Sequence, residues 1–381
     1  MYHHQAFNMA NIKINNPLSP ALIIKKKLGF LQQPWVVLYR GFGNRHTVHV
    51  KGRILEEKAL AITQSKHSKL RNFKEMAQRY FSGYFPNMAV NVRCAGQQQQ
   101  VLTQHDGLFE AIFHFEQPLA EGWLPTEASM TEAPQTQPAH GEVLIADGGE
   151  GLGVISDVDD TVLISHSTEA LKALRLLLFR NAKSRMPFEG VGALYQALCR
   201  GVDNRLVPIF YVSSSEWNLY DLLESFFAHN HIPKGPFLLH DYRTNLLQIR
   251  ARGHERHNHK LEKITRLLKT YPGRQFVLIG DSGQRDAEIY CEVVEQFPNR
   301  IKAVFIRNVS HNLRSTAINE IYERLNRADA PMYLVDDSLQ AAKEALQLGL
   351  IQADELAAVA EGMRKDLKAP TTLLEGILKT E

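Results

Sequence analysis

The stretch Val154-Ile155-Ser156-Asp157-Val158-Asp159-Asp160-Thr161 decides the fold. A short apolar run that feeds directly into acidic and hydroxyl residues reads as a buried strand ending in a polar loop. The pattern recurs downstream. Val207-Pro208-Ile209-Phe210-Tyr211-Val212 leads into Ser213-Ser214-Ser215, and Phe276-Val277-Leu278-Ile279 leads into Gly280-Asp281-Ser282-Gly283-Gln284-Arg285-Asp286. Phe237–Leu239, Ile301–Ile306 and Met332–Val335 are further apolar runs, with helical patterns such as Lys260–Thr270 and Asp286–Gln296 between them. Buried strands alternating with helices predict a parallel sheet in an α/β layer fold. Ligands bind such open sheets at the carboxyl ends of the strands, so the residues after each run are where chemistry is expected.

Three polar clusters at strand ends of one sheet predict phosphoryl transfer with a metal. Carboxylates that converge repel one another and need a cation to stay ionised. Ligands that are all oxygen suit Mg²⁺ rather than Zn²⁺, and no Cys/His set competes for the metal. An Asp can attack phosphorus, and a second carboxyl two residues on can protonate the leaving oxygen. The transferred group also needs donors and positive charge around its oxygens, which Ser213 and a nearby Lys can supply.

Outward from this region the style changes. Trp35–Arg40, Thr47–Leu55, Asn87–Arg93 and Gly107–Phe115 show strand-like runs, several with a two-residue period, while Gly41–Asn44 reads as a turn and Lys69–Phe81 as a helix. The first part is therefore expected to be a mostly β, sandwich-like module. Glu127–His140, rich in Ala, Thr, Pro and Gln without periodicity, reads as a loop or linker. The expected organisation is a basic β module over 1–145, an α/β phosphoryl-transfer domain over 146–340 with a small helical insert at about 162–206, and a helical tail over 341–381.

The 381 residues carry 44 Lys+Arg and 41 Asp+Glu, a net charge of +3 that conceals a strong asymmetry. Residues 1–100 carry +12, residues 101–160 carry −12 with no Lys or Arg, and the remainder carries +3. A segment this basic is either a partner surface for anions or a set of strands with solvated outer faces. With 44% hydrophobic and 22% charged residues, the composition excludes wholesale disorder and a fibrous repeat. No apolar stretch reaches the roughly 18–20 residues of a membrane-spanning helix. The first residues, Met1-Tyr2-His3-His4-Gln5, predict no signal peptide. Cys94, Cys199 and Cys291 lie far apart and are odd in number, which predicts a reducing, cytoplasmic setting.

Ser156-Asp157-Val158-Asp159-Asp160-Thr161, Tyr211-Val212-Ser213-Ser214-Ser215 and Gly280-Asp281-Ser282-Gly283-Gln284-Arg285-Asp286-Ala287-Glu288-Ile289-Tyr290 together resemble the catalytic domain of the actin-patch-type phosphatidate phosphatases, within the haloacid dehalogenase superfamily. Phe297-Pro298, Ile301 and Ile306-Arg307 extend the likeness, and Tyr39–Gly43 with Gly52-Arg53 resemble the segment that precedes that domain. The resemblance implies a haloacid-dehalogenase-like Rossmannoid sheet with helices on both faces. It also implies that Asp157 is the nucleophile and a Mg²⁺ ligand, and that Asp159 is the general acid/base and a ligand through its carbonyl. Thr161 would fix the loop, Ser213 and Lys260 would bind phosphate, and Asp281 and Asp286 would complete the metal set. Lys263 and Arg256 remain alternatives to Lys260. Asp160 has no implied role, and Ala287 stands where the family pattern has Pro.

Other signals lead elsewhere or nowhere. Gly148–Gly153 precedes a strand, whereas a dinucleotide loop follows one. His254, His257 and His259 lack the companions of a metal site, and Ser213–Ser215 lack the glycine flanks of a nucleophile elbow. Thr168–Arg185 and Ala21–Leu31 are apolar and basic, which fits either a helix packed on a core or one lying in a membrane interface. The implied function is an aspartyl-phosphate-forming phosphatase of phosphatidate that works at an anionic membrane surface as a peripheral protein. A phosphatase of a small soluble phosphomonoester and a non-catalytic anionic-membrane-binding protein are the alternatives. No nucleic-acid recognition motif accompanies the charge.

Overall fold

The computed structural model describes residues 33–56, 83–131, 137–158, 189–202, 207–240, 252–282, 285–309 and 315–368. The chain divides into two compact units, Met1–Ala146 and Asp147–Glu381. The helix expected at Lys69–Phe81, the basic segment Ala21–Leu31 and the insert helix Thr168–Arg185 lie outside the described residues.

The first unit is a β module with one mixed, eight-stranded sheet. Its strands are β1 (Pro34–Leu38), β2 (Gly41–Gly43), β3 (Thr47–Glu56), β4 (Ala89–Cys94), β5 (Gln97–Leu102), β6 (Leu108–His114), β7 (Gly122–Met130) and β8 (Ala139–Ile145). They pair in the order β1-β3-β2-β8-β7-β4-β5, with β6 on β3. Alternate residues turn inward, so Val48, Val50, Val90, Val92, Phe113 and Met130 fill one core. Two expectations are corrected here. Gly41–Gly43, read as a turn, pairs with both β3 and β8. Residues 127–130 and 139–140, read as linker, are strand, because β7 and β8 pair antiparallel from Gly122↔Ile145 to Ala128↔Ala139. The polar run Gln97–Gln100 is also a strand. Its Gln97 and Gln99 side-chain amides donate to the His114 and Ile112 carbonyls of β6 at 3.0 and 2.7 Å, which occupies acceptors that an edge would expose.

The second unit is α/β. Its strands β9 (Leu152–Asp157), β10 (Ile209–Glu216), β11 (Phe237–His240), β12 (Gln275–Asp281), β13 (Ile301–Arg307) and β14 (Met332–Val335) form a parallel sheet in the order β11-β10-β9-β12-β13-β14. The helices are α1 (Val191–Arg200), α2 (Tyr220–His229), α3 (Arg252–Thr270), α4 (Asp286–Gln296), α5 (Ser315–Arg327), α6 (Ser338–Gln347) and α7 (Ala353–Lys368). Consecutive side chains of a strand face opposite ways, and the end of β9 shows it. Ser156 reaches Tyr195 of α1, whereas Asp157 reaches Lys260 of α3. The helices therefore cover both faces, with α1, α6 and α7 in one group and α3, α4 and α5 in the other. The last two helices are part of this layer: Asp366 of α7 accepts from the Gly190 N–H at 2.8 Å, and Glu355 pairs with Arg200 at 2.5 Å.

Strand order locates the functional edge. From β9 the chain steps outward through β10 and β11, then crosses back to place β12 on the other side of β9. The reversal leaves a crevice between the carboxyl ends of β9 and β12, the position where open α/β sheets bind ligands. Asp157 is the last residue of β9 and Asp281 the last of β12. At the opposite end the Arg274 guanidinium holds the Leu152 and Asp147 carbonyls, so that edge is tied down by backbone contacts.

Candidate active site

Asp157 ends a strand whose Val154 and Ile155 are wholly buried, so its carboxylate is delivered to the crevice at 1% exposure. Asp281 arrives the same way from β12 and is fully buried. Asp286 opens α4, where the positive end of a helix favours a carboxylate. Its two oxygens divide the work. Oδ2 accepts from the Asp281 backbone N–H at 3.1 Å, and Oδ1 accepts from the Lys260 ammonium at 2.7 Å. The same ammonium lies 2.6 Å from Asp157 Oδ1. Lys260 is only 4% exposed, so it bridges the two carboxylates away from bulk water, where charge interactions are strong.

Glycine is required in this crevice. A Cβ on Gly280 would stand 2.7 Å from both Cβ and Oδ2 of Asp286 and 2.9 Å from the Tyr290 ring. The missing side chain is what lets the start of α4 approach the end of β12. Tyr290, one turn into α4, donates to the Ile279 carbonyl at 2.8 Å and fixes the same approach. Burial, then the nearby Asp286, Asp157 and Asp281, push its phenol well above the ordinary value, so the donor proton is retained. Gly280→Ala is expected to cost about 1–3 kcal/mol through overpacking and to weaken binding of a divalent cation at these carboxylates. Thermal melting with and without Mg²⁺ checks both effects, and unchanged melting would show that the crevice yields freely.

The backbone next to the acids is braced on the other face. Ser156 Oγ hydrogen-bonds the Tyr195 hydroxyl at 2.7 Å and donates to the Asp157 carbonyl at 2.7 Å, with both side chains fully buried. Beyond β12, the Ser282 N–H donates to the Arg307 carbonyl and Ser282 Oγ accepts from the Val309 N–H, at 2.8 and 3.0 Å. Arg307 lies opposite Asp281 in register. Burial lowers its guanidinium to about 10, against the opposing pull of Glu189 and other nearby groups.

Ser213 is fully buried on β10, one residue beyond Val212, which lies opposite Asp157. The strand does not stop before the serines as expected but continues to Glu216, with an irregularity in its pairing to β11 between Val212 and Glu216. Ser213 Oγ accepts from the Ser215 N–H at 2.9 Å, and the Ser213 carbonyl accepts from Lys263 at 2.9 Å. The described residues thus bring Asp157, Asp281, Asp286 and Lys260 together, with Ser213 on the neighbouring strand. Asp159, Asp160 and Thr161 lie outside the described residues, as do the side chains of Arg256, His254 and His257. His259 packs against His240 with ring centres 4.3 Å apart and planes tilted by 42°.

Asp157, Asp281 and Asp286 each offer an oxygen within 4.8 Å of the others, and no Cys or His joins them among the described residues. Ionised, these three carboxylates exceed the one ammonium between two of them by two negative charges. A hard divalent cation fits both that excess and an all-oxygen donor set, which suits Mg²⁺ and not a thiolate- or imidazole-seeking metal.

Residues 152–308 match the family model described as phosphatidate phosphatase APP1, catalytic domain. Over 199 residues, 51% of the chain, the sequence is 29% identical to phosphatidate phosphatase APP1 of Saccharomyces cerevisiae. An uncharacterised protein of Schizosaccharomyces pombe is also 29% identical, over 163 residues or 42% of the chain. The matched segments span 33% and 25% of the length of these two relatives. Among solved structures, a carbohydrate acetylesterase from Xanthomonas citri overlaps 80% of the chain and 69% of its own, at 12% identity and a TM-score of 0.32. An overlap that low bears on neither fold nor function.

Proposed function

Since residues 152–308 match the phosphatidate phosphatase APP1 catalytic-domain model, we propose that the chain is a Mg²⁺-dependent phosphomonoesterase acting on a phosphatidate-like lipid phosphate. The observation that carries this reading is the buried Asp157–Lys260–Asp286 bridge, with Asp281 beside it, at the crevice between β9 and β12. The sheet order and the chemistry at its carboxyl edge support a haloacid-dehalogenase-like domain.

In the proposed reaction an Asp157 oxygen attacks phosphorus and the bond from phosphorus to the ester oxygen breaks. Asp159 gives its proton to that departing oxygen, which leaves as the alcohol, diacylglycerol for phosphatidate. Asp159 then takes a proton from water, whose oxygen attacks the aspartyl-phosphate. Inorganic phosphate is released and the Asp157 carboxylate is restored. Lys260 orients Asp157 through its 2.6 Å contact and, with Ser213, meets the phosphoryl oxygens. Mg²⁺, held by Asp157, Asp281, Asp286 and the Asp159 carbonyl, would supply neutralising charge to those oxygens.

The first hundred residues, at +12, support recruitment to anionic lipid as a peripheral protein in the cytoplasm. Among the described residues no helix is long and apolar enough to cross a membrane. The test measures phosphate release from phosphatidate in anionic vesicles and from a panel of soluble phosphomonoesters, each with Mg²⁺ and with a chelator. Release from the vesicles is expected, with loss on chelation and a decline as added salt screens the surface. Turnover of a sugar phosphate alone would move the substrate to the soluble class. Vesicle binding with no turnover of any ester would contradict the enzyme reading.

A further inference from the structure

Two lysines of α3 lie three residues apart and so share a helix face, yet their ammonium groups do different work. Lys260 spans two carboxylates at 2.6 and 2.7 Å. Lys263 instead donates to a neutral acceptor, the Ser213 carbonyl, at 2.9 Å. A second observation makes this contact matter. The parallel pairing of β10 with β11 is regular at Tyr211 and Val212, breaks, and resumes only at Glu216, so Ser213–Ser215 fall in the gap. A strand irregularity re-aims the side chains it carries, and its conformation depends on contacts other than the ladder. Here those contacts include the Ser215 N–H on Ser213 Oγ from within the strand and Lys263 on the Ser213 carbonyl from α3.

We infer that Lys263 is a positioning residue for phosphate binding: its ammonium fixes the Ser213–Ser214 peptide, and with it the direction in which Ser213 Oγ is presented. The inference rests on the phosphatase reading above. The described chain has no cis peptide bond, and the carbonyl and N–H of a trans peptide point in opposite directions. Drawing the Ser213 carbonyl towards α3 therefore also turns the Ser214 N–H away from α3. Without Lys263 the peptide loses a contact that holds it from α3, and the aim of the hydroxyl is expected to relax while Asp157, Asp281 and Lys260 keep their places.

The test compares the full chain, Lys263→Met and Lys263→Arg, each loaded with Mg²⁺. Inorganic phosphate binding is measured by calorimetry, and steady-state kinetics are measured on phosphatidate in mixed micelles. Lys263→Met is expected to weaken phosphate binding and raise KM by about tenfold, with a smaller fall in kcat. Lys263→Arg, which can still donate to the carbonyl, is expected to recover most of the loss. Should Lys263→Met fail to fold, Lys263→Leu, which also lacks a donor, carries the same expectation. Phosphate affinity within twofold of the parent in a folded Met or Leu variant overturns the inference. A parent chain that binds no phosphate contradicts the phosphatase reading itself, so the two failures are distinct.

Discussion

Asp157→Asn is expected to fold as the parent does and to release phosphate at least about a thousandfold more slowly. The amide matches the carboxylate in size but is a poor nucleophile towards phosphorus. Folding is spared for an electrostatic reason. Asp157 belongs to a buried group of three carboxylates, two of which touch Lys260, and removing one negative charge eases their repulsion. Lys260 also retains its 2.7 Å contact with Asp286. Phosphate release, with thermal melting as the check on folding, reads both halves of the prediction. A slow variant that melts far below the parent would mean that Asp157 is chiefly structural.

Lys260→Met is expected to show the opposite balance, with a large loss of stability as well as activity. Its ammonium is buried and reaches two buried carboxylates, and removing one partner of such a buried charge group costs about 3–5 kcal/mol because the remaining charges lose its compensation. Mg²⁺ should then raise the melting temperature of the variant more than that of the parent, since a cation that binds only the folded state stabilises it. Turnover should fall about a hundredfold or more, because Asp157 loses its orientation and the phosphoryl oxygens lose a donor. Melting curves with and without Mg²⁺ test the first claim. A variant as stable as the parent without metal would show that the three carboxylates tolerate one another and that the bridge is incidental.

The α/β half was legible because its central strands are largely buried on both faces and appear as mostly apolar runs. Val154–Ser156, Phe276–Ile279 and Ile301–Ile306 each lie inside a strand, and Asp286–Gln296 matches α4 end to end. The β module was harder to read. β5 opens with four glutamines that are exposed or half-buried, and Val101 packs on the core only from its far end, so its apolar signal is weak. The readable sign was the two-residue turn before it, Ala95-Gly96, where both residues have positive φ (46° and 82°), as hairpin turns require. The facing ends of β7 and β8 were missed because Ala, Gly and Glu, present in both strands, and Pro, present in β7, are weak strand formers, and pairing between the two strands supplies what propensity does not.

The acids of the site were visible as residues that end strands, but their mutual geometry was not. That Asp286 serves both the Asp281 N–H and Lys260 depends on the close approach permitted at Gly280. The choice between Lys260 and Lys263 depends on helical phase. Only a placed α3 shows one ammonium on carboxylates and the other on a carbonyl. Tyr195 gave no motif signal and Tyr290 stood in the family-like block without an implied role, since a tyrosine that braces a backbone carbonyl or a serine looks like any core aromatic.

The central claim is that the phosphoryl group passes through Asp157. Acid-quenching the enzyme during turnover of phosphatidate labelled in its phosphate, followed by peptide mapping, tests it most directly. The account predicts label on the peptide that contains Asp157, with no label and no turnover in Asp157→Asn. Turnover of the parent with label on another residue, or phosphate release by Asp157→Asn at the parent's rate, would contradict it.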